Sequence, residues 1–394
     1  MKVCLLTAEY PPMQGGVGDF TRELARAMAA LGTEVHVVTG AQGGDDATSE
    51  AWRVLRAVDG WGWGLLRRLP GLLRDLDPDV VNIQYQTAAY GMHPAVNLLP
   101  WWLRRASWPG RRPRLVVTYH DVRVPYLFPK AGRLREWVTL FIARHSDAAI
   151  ATNVEDETWL RARLPDDYRL ARIPIGSNIA PVPPADYDRA AWRARLGVAP
   201  EESLLAYFGF LNESKGSEDL VRALAGLAAR GVPARLLMVG GRVGSSDPTN
   251  AAYADRVEAL MAELGVADKV LWTGYTAPAE VSANLLAADV GVLPYRDGAS
   301  FRRGSFMALL AHGRPIVTTT PRVPIPELVD GKNIRLVSPA DPAALTEAIA
   351  ALAADEALRR SVGKGARQLS RRFEWDGIAQ DTLALFEELL EPVV

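Results

Sequence analysis

Short apolar runs alternate with longer segments of helical periodicity along the first half of the chain. The clearest helical pattern covers Gly18–Leu31, just after the first apolar run. The apolar runs predict five strands, at Lys2–Thr7, Val35–Thr39, Val80–Gln84, Leu115–Thr118 and Ala148–Ala151. Because a helical segment separates each strand from the next, the alternation predicts parallel βαβ units.

The alternation stops at residues 174–200, a proline-rich segment without a long apolar run that predicts a linker. It then restarts, with strands predicted at Ser203–Phe208, Arg235–Val239, Val270–Thr273, Val290–Leu293 and Ile316–Thr319. The last residues again have helical periodicity. The sequence therefore predicts an α/β protein with one domain at residues 1–178, a second at 179–373 and a terminal helical segment at 374–394.

The composition agrees with two globular domains and limits the chemistry. The chain has 394 residues, 48% hydrophobic and 23% charged, and its net charge of −1 gives no indication of nucleic-acid binding. Cys4 is the single cysteine, which argues against disulfides and cysteine-ligated zinc and favours a reducing compartment. There is neither a signal-peptide pattern nor an apolar run of about 18 residues. We therefore expect a cytoplasmic protein.

A glycine-rich loop follows the first predicted strand. Gly15, Gly16 and Gly18 lie between that strand and the first helix. Glycines there allow a ligand to approach the backbone closely, and the N–H groups at a helix start attract phosphate. A tight turn without a ligand is the alternative. A dinucleotide dehydrogenase is disfavoured, because the second strand ends in "VVTGAQGG" without the acidic residue that binds the ribose.

The second domain repeats this arrangement. The segment "FLNESKGSEDL" places Lys215 and Gly216 at the start of a helix. A lysine opposes the helix dipole there, which indicates a bound anion, although a solvated lysine beside a turn glycine is the alternative. Gly240 and Gly241 end the next strand. Since ligands bind at the carboxyl ends of strands in open α/β sheets, we expect a cleft between the two domains.

With these residues in place, the chain resembles the family 4 glycosyltransferases of the GT-B architecture over nearly its whole length. The motifs that carry the resemblance are "YPPMQGGVGDF", "TYHDV", "FGFLNESKG", "LLMVGG", "AADVGVLPY" and "AHGRPIVTT". The resemblance implies two Rossmann-like domains and a retaining enzyme that moves a sugar from a nucleoside diphosphate to a hydroxyl. It implies no metal or other cofactor, and a terminal helix that returns to the first domain.

The resemblance also implies residue roles. Gly15 and Gly16 would lie close to the donor sugar and diphosphate, His120 would face the sugar, and Lys215 would hold the diphosphate, with Gly16, His120 and Lys215 as the catalytic set. Two further residues, Asn212 and Gly241, would bind the donor. Fixed cations stabilise the leaving diphosphate as its charge grows, and that phosphate can itself accept the acceptor's proton. For His120, a capping or core role is the alternative.

The chain departs from the family pattern at three positions. Phe210 stands where relatives have an arginine of the diphosphate clamp, and Ser300 and Ala308 stand where relatives have a pair of glutamates. One alternative is therefore an inactive sugar-nucleotide-binding protein of the same fold. A measured sugar transfer would distinguish the two.

The segment "SFRRGS" begins at one of these changed positions, Ser300. Its members, predicted to bind the donor diphosphate, are Ser300, Arg302, Arg303, Gly304 and Ser305. Arginines beside a helix start form an anion cradle, which would restore the positive charge lost at Phe210. Arginines solvated on a surface loop are the alternative.

Residues 80–120 contain no acidic residue but three tryptophans and five arginines. Trp101, Trp102, Arg104 and Arg105 are predicted to lie on the acceptor or membrane side, because tryptophan beside arginine is typical of segments that contact anionic lipid. A core helix with solvated arginines is the alternative. The predicted partners are a nucleotide-sugar donor and a hydroxyl acceptor, such as a lipid-linked or cell-envelope glycan, with peripheral contact to the inner face of the membrane.

Overall fold

The computed structural model describes residues 1–13, 15–41, 47–48, 51–122, 132–242 and 248–391, with the backbone alone at 47–48, 132–135 and 248–250. The chain divides into two compact units. The first contains Met1–Gly176 together with Glu374–Val394, and the second contains Ser177–Phe373.

The first unit is built on an eight-stranded sheet with strand order β3-β4-β2-β1-β5-β6-β7-β8. Its strands are β1 (Lys2–Leu6), β2 (Glu34–Gly40), β3 (Ala47–Thr48), β4 (Arg53–Val58), β5 (Val80–Tyr85), β6 (Arg114–Tyr119), β7 (Ala148–Ala151) and β8 (Leu170–Arg172). Every neighbouring pair is parallel except β3 and β4. The central strands are buried along their length because helices cover both faces, as parallel sheets require.

The helices that cover this sheet follow the strands in the expected alternation. They are α1 (Gly16–Ala30), α2 (Gly64–Leu76), α3 (Ala95–Arg105), α4 (Gly132–Arg144) and α5 (Val154–Arg161). The first begins at Gly16, two residues earlier than its apolar periodicity predicts, directly after the extended residue Gly15. The glycine loop therefore leads directly into a helix N-terminus.

The second unit has a six-stranded parallel sheet with strand order β11-β10-β9-β12-β13-β14. Its elements are α6 (Arg189–Arg195), β9 (Ser203–Phe208), α7 (Ser217–Ala229), β10 (Ala234–Val239), α8 (Pro248–Glu263), β11 (Val270–Gly274), α9 (Pro278–Ala287), β12 (Val290–Leu293), α10 (Gly304–Ala311), β13 (Ile316–Thr319), β14 (Arg335–Val337), α11 (Pro342–Ala354) and α12 (Glu356–Ser370). In both sheets the strand order reverses beside the first strand, β1 or β9.

The last helix, α13 (Trp375–Leu390), belongs to the first unit and packs on α1. Ile378, Leu383 and Phe386 share a core with Phe20 and Leu24. These residues recur at helical spacing, which explains why the end of the chain forms an amphipathic helix.

The proline-rich segment is not a simple linker, because it contains α6. Trp192 donates from Nε1 to Asn284 Oδ1 at 2.8 Å, and Arg193 pairs with Asp289 at 2.8 Å. The helix has only seven residues, too few for a periodic apolar pattern. The strands β4, β8 and β14 were not predicted, because they are short or contain arginines.

Candidate active site

The residues with predicted chemistry lie in loops at the carboxyl ends of the strands. In the first unit, Gly15 ends the loop after β1, and His120 follows β6. In the second unit, Lys215 lies in the loop after β9, and Arg303 lies in the loop after β12. Since β9 and β12 are neighbours at the point where the strand order reverses, their loops form the place where such sheets bind ligands.

His120 is held in a defined orientation by neighbouring strands. Its Nε2 lies 2.9 Å from Gln84 Oε1, and its ring packs edge-on against Phe20 with the ring centres 4.6 Å apart. The Gln84 amide nitrogen in turn donates to Asn82 Oδ1, so Gln84 presents its oxygen to the histidine. His120 therefore carries its proton on Nε2 and leaves Nδ1 as an acceptor. Burial lowers the pKa of His120 to about 3, which keeps the ring neutral at physiological pH.

The glycine loop encloses a carboxylate that the sequence analysis did not select. A Cβ on Gly15 would lie 2.0 Å from Glu9 Oε2, and a Cβ on Gly18 would lie 3.0 Å from the Glu9 backbone. Burial, followed by the negative charge of Asp19, raises the pKa of Glu9. A Cβ on Gly16, by contrast, would meet nothing within 4 Å. Gly18 thus allows a close approach to the Glu9 backbone and Gly15 one to the Glu9 carboxylate, whereas Gly16 leaves space beside the helix start.

Lys215 is largely buried in the second unit without a carboxylate partner among the described residues. Its Nζ donates to the backbone oxygen of Phe210 at 3.0 Å. A Cβ on Gly209, whose φ is +117°, would lie 2.8 Å from that Nζ. Burial, followed by the positive charge of Arg303, lowers the pKa of Lys215 to about 8. Two cations side by side in a half-buried site favour the binding of an anion.

Arg302 and Arg303 are not solvated, since only 10% and 17% of their side chains are exposed. Both pair with one carboxylate, that of Asp297: Arg303 Nη2 lies 2.5 Å from Oδ1, and Arg302 Nη2 lies 3.2 Å from Oδ2. Asp297, which lies in the same loop, therefore neutralises part of the positive charge expected of the two arginines. The local charge still leaves an excess of cations, because Lys215 stands beside Arg303.

The start of α10 adds neutral donors to these cations. Ser305 Oγ lies 2.7 Å from the Tyr295 hydroxyl, and the Arg303 guanidinium lies over the Tyr295 ring at 4.8 Å. Phe306 N–H donates to the Arg303 oxygen, which leaves the N–H groups of Gly304 and Ser305 without a partner in the described part of the chain. Ser305 Cβ also lies 4.0 Å from the position that a Cβ on Gly209 would occupy. Lys215, Arg303 and the helix start thus surround the same glycine.

The remaining predicted donor residues have mainly local partners. Ser300 is only 2% exposed, and its backbone oxygen accepts from Arg303 N–H; Ala308 is fully buried. Asn212 Oδ1 caps the short 3-10 turn at Glu213–Lys215 by accepting from Ser214 N–H. Gly241 is half-buried, two residues after the end of β10. These residues shape the loop that carries Lys215 and the turn before α10.

The tryptophan-arginine stretch is less basic in space than in sequence. Arg104 donates to Asp147 at 2.9 Å and to the His145 backbone oxygen, while Arg105 stacks on Trp101 at 4.2 Å. Asp147 thus supplies the acidic partner that residues 80–120 lack. Trp102 remains 38% exposed. This surface is therefore a mixed aromatic and ion-paired one.

Three exposed tryptophans lie on or beside the successive helices α2, α3 and α4 of the first unit. Trp63 before α2, Trp102 on α3 and Trp137 on α4 are 57%, 38% and 47% exposed. The three helices pack in succession, α2 on α3 and α3 on α4. A pocket of about 360 Å³ between α2 and α3 is lined by Trp102, Arg67 and other residues. No described helix combines the length and the apolar character needed to cross a membrane.

Three residues of these sites could have been found from sequence but were not. Asp297 precedes its arginines by five and six positions, a spacing within reach in a turn. Gln84 is the next-to-last residue of β5, beside the strand that presents His120. Glu9 lies three residues after the end of β1 and so belongs to the loop that leads to the glycines. Within the described ranges, no group of three His, Cys, Asp or Glu side chains is arranged to hold a metal ion.

Two family models cover most of the chain. One described as glycosyl transferases group 1 matches residues 202–355, and one described as glycosyl transferase 4-like domain matches residues 15–176. Among curated proteins, the D-inositol 3-phosphate glycosyltransferase of Xylanimonas cellulosilytica is 30% identical, over 98% of this chain and 96% of its own. That of Acidothermus cellulolyticus is also 30% identical, over 99% and 90%.

Solved structures agree on the fold. Sucrose-phosphate synthase from Thermosynechococcus elongatus superposes with a TM-score of 0.75 at 23% identity, covering 99% of both chains. The HepE protein of Anabaena, solved in complex with UDP and glucose, superposes with a TM-score of 0.76 at 18% identity, covering 98% of this chain and all of its own. At these identities the likeness concerns the fold alone. It confirms the predicted α/β class with two parallel-sheet domains of the GT-B type.

Proposed function

The chain belongs to the glycosyltransferases, and on this premise we propose that it moves a sugar, with retention of configuration, from a nucleoside diphosphate to a hydroxyl acceptor. The observation that carries the proposal is Lys215, a buried cation that lies beside Arg303 and the start of α10. A diphosphate would supply the negative charge that this arrangement lacks.

The proposed chemistry needs stabilisation of the leaving group. Negative charge grows on the diphosphate as the bond to the sugar breaks, and cations already fixed in place stabilise that state more than the ground state. Lys215 and Arg303 would carry this role, with the N–H groups of Gly304 and Ser305 as neutral donors. These protein cations would make a metal ion unnecessary. The leaving phosphate would accept the proton of the acceptor hydroxyl.

His120 would act as a hydrogen-bond acceptor rather than as an acid. Its Nε2 proton is directed at Gln84, and its pKa of about 3 keeps it neutral. Nδ1, which has no partner among the residues that the structure describes, can therefore receive a hydrogen bond from a sugar hydroxyl. Ser300 and Ala308 stand where relatives are expected to have a pair of glutamates. In this proposal, other groups such as His120 therefore recognise the sugar.

Two acceptor classes are supported by different observations. The exposed tryptophans Trp63, Trp102 and Trp137 favour an acceptor at a membrane surface, such as a lipid-linked or cell-envelope glycan, with the enzyme bound peripherally. The curated relatives are named for D-inositol 3-phosphate, which favours a small phosphorylated polyol. Transfer assays with each acceptor separate the two.

A ligand screen tests the donor class before the acceptor is known. A ligand that binds only the native state raises the melting temperature by mass action. Nucleoside diphosphates and their sugars should raise it, whereas the matching monophosphates should have little effect. If no member of a panel of uridine, guanosine, adenosine and thymidine diphosphates or their sugars stabilises the protein, the proposed donor class is wrong.

A further inference from the structure

A basic pocket lies in the second unit, away from the loops that carry Lys215 and Arg303. Two residues that line it, Asp289 and Pro315, directly precede β12 and β13, so the pocket lies at the amino ends of these strands. The candidate active site lies at their carboxyl ends. Each strand has four residues, which separates the two places by about 10 Å or more. The pocket is therefore a separate site.

The lining of this pocket is strongly basic. Six basic side chains line it: Arg189, Arg314, Arg359, Arg360, Lys364 and Arg367. The acidic side chains in the lining are Asp289 and Glu356. Asp289 pairs with Arg189 at 2.7 Å, and Glu356 pairs with Arg360. The other four cations have no carboxylate partner among the residues that the structure describes.

Three of these cations are fixed in place by neutral groups. Arg314 donates to the backbone oxygens of Leu286 and Ala288 at the end of α9, and Arg367 donates to that of Ala311 at the end of α10. Arg359 in the same way binds two carbonyl groups at the end of α11. A carbonyl orients a guanidinium but does not cancel its charge. Burial, followed by the charge of Arg189, lowers the pKa of Arg314, which shows that the positive charges act on one another.

We propose that this pocket binds a small soluble polyanion that carries two or more phosphate groups. Its volume of about 670 Å³ falls within the usual range of small-molecule sites, about 300–1,000 Å³. Arginines held in place lose little freedom when they bind phosphate, and their planar forks match its oxygens. The site is independent of the nucleotide-sugar donor proposed above.

Titration calorimetry with inorganic triphosphate tests the proposal on the full chain. Because the active site also attracts phosphate, the titration is performed in wild type, in Lys215→Ala and in the pocket variant Arg360→Gln/Lys364→Gln. Both pocket residues are exposed, so these changes leave the core intact. Arg222→Gln, on an exposed position of α7 outside the pocket, is the matched control. Thermal unfolding checks that each variant is folded.

The proposal predicts saturable binding of one triphosphate that persists in Lys215→Ala and in Arg222→Gln. The pocket variant should bind this triphosphate about tenfold more weakly, because it loses charge-assisted contacts to phosphate. The binding should also weaken as salt is raised. Loss of all triphosphate binding in Lys215→Ala, or equal binding in the pocket variant and in Arg222→Gln, would overturn the proposal.

Discussion

Replacing Lys215 with methionine should stabilise the unliganded protein while weakening its binding of a nucleoside diphosphate. The pKa of Lys215 is lowered from 10.5 to about 8, chiefly by burial. At about 1.36 kcal/mol per pKa unit, keeping this lysine charged in the folded protein costs about 3 kcal/mol. Methionine removes that cost but also removes the hydrogen bond to the Phe210 oxygen, worth about 1 kcal/mol. The net stabilisation at pH 7 should be about 2 kcal/mol.

The effect on stability should depend on pH in a definite direction. Below pH 8 the folded protein keeps the buried charge, and the cost is present in full. Between pH 8 and about 10.5 the folded state loses the proton while the unfolded state retains it, so the stability of wild type rises with pH. The advantage of Lys215→Met in melting temperature should therefore shrink over this range. Lys332→Met, at an exposed position of the same unit, is the control.

Binding of a diphosphate should also depend on pH, but here the complex, unlike the unliganded fold, should favour the charged form of Lys215. A diphosphate beside Lys215 favours the charged amine, so complex formation at pH 8 should take up about half a proton per site. Calorimetry in two buffers of different ionisation enthalpy measures this uptake, and Lys215→Met should abolish it. Affinity should be lower by about 1.5–3 kcal/mol in that variant. Unchanged affinity, or binding without proton uptake at pH 8 in wild type, would refute the role of Lys215.

Four further outcomes are expected. Arg303→Ala should weaken diphosphate binding about as much as removal of Lys215, by about 1.5–3 kcal/mol, with little change for the monophosphate, as calorimetry with both nucleotides would show. Asp297→Asn should tighten diphosphate binding in the same titration, because one competing carboxylate is neutralised; weaker binding would mean that Asp297 positions the arginines. EDTA should leave sugar transfer unchanged in a turnover assay, and a loss that a divalent ion restores would contradict the metal-free proposal. Trp63→Ala/Trp102→Ala should reduce cosedimentation with anionic vesicles, and an unchanged bound fraction would argue for a soluble acceptor.

The strands at the centres of both sheets were predictable because both of their faces are buried. Strands such as Ser203–Phe208 and Ile316–Thr319 are apolar runs of the right length, and their predicted bounds agree with the structure. Strands at a sheet edge or next to it, such as β14 and β4, were missed. Arg53 and Arg335 lie within them, and a charged residue on an exposed strand face weakens the apolar pattern that the prediction uses.

The positions of the polar loops along the chain were predictable, but the ion-pair partners of their side chains were not. Helix starts and glycines indicate where Lys215 and Arg303 lie along the chain, because turn chemistry is local. The partner of an arginine is set by the folded path of the chain. Asp147 lies beyond the acid-free stretch and still neutralises Arg104, and Asp297 accepts both arginines of the loop. Charge read along a sequence therefore overestimates the free positive charge in space.

The neutral state of His120 illustrates a further limit. A histidine at the end of a strand could act as an acid, an acceptor or a core residue. Its role follows from Gln84 and from the packing of Phe20, both of which depend on tertiary contacts. The sequence placed His120 near the site by resemblance, whereas the structure supplies its tautomer and charge.

The most direct test of the central claim is to follow, by proton nuclear magnetic resonance, sugar transfer from a panel of nucleoside diphosphate sugars to an acceptor of each class proposed above. The spectrum reports both the release of the nucleoside diphosphate and the anomeric configuration of the product. We predict that one donor is consumed, that its configuration is retained, and that Lys215→Met turns it over far more slowly than Lys332→Met. Inversion of configuration, or equal turnover by the two variants, would contradict a retaining transfer supported by Lys215.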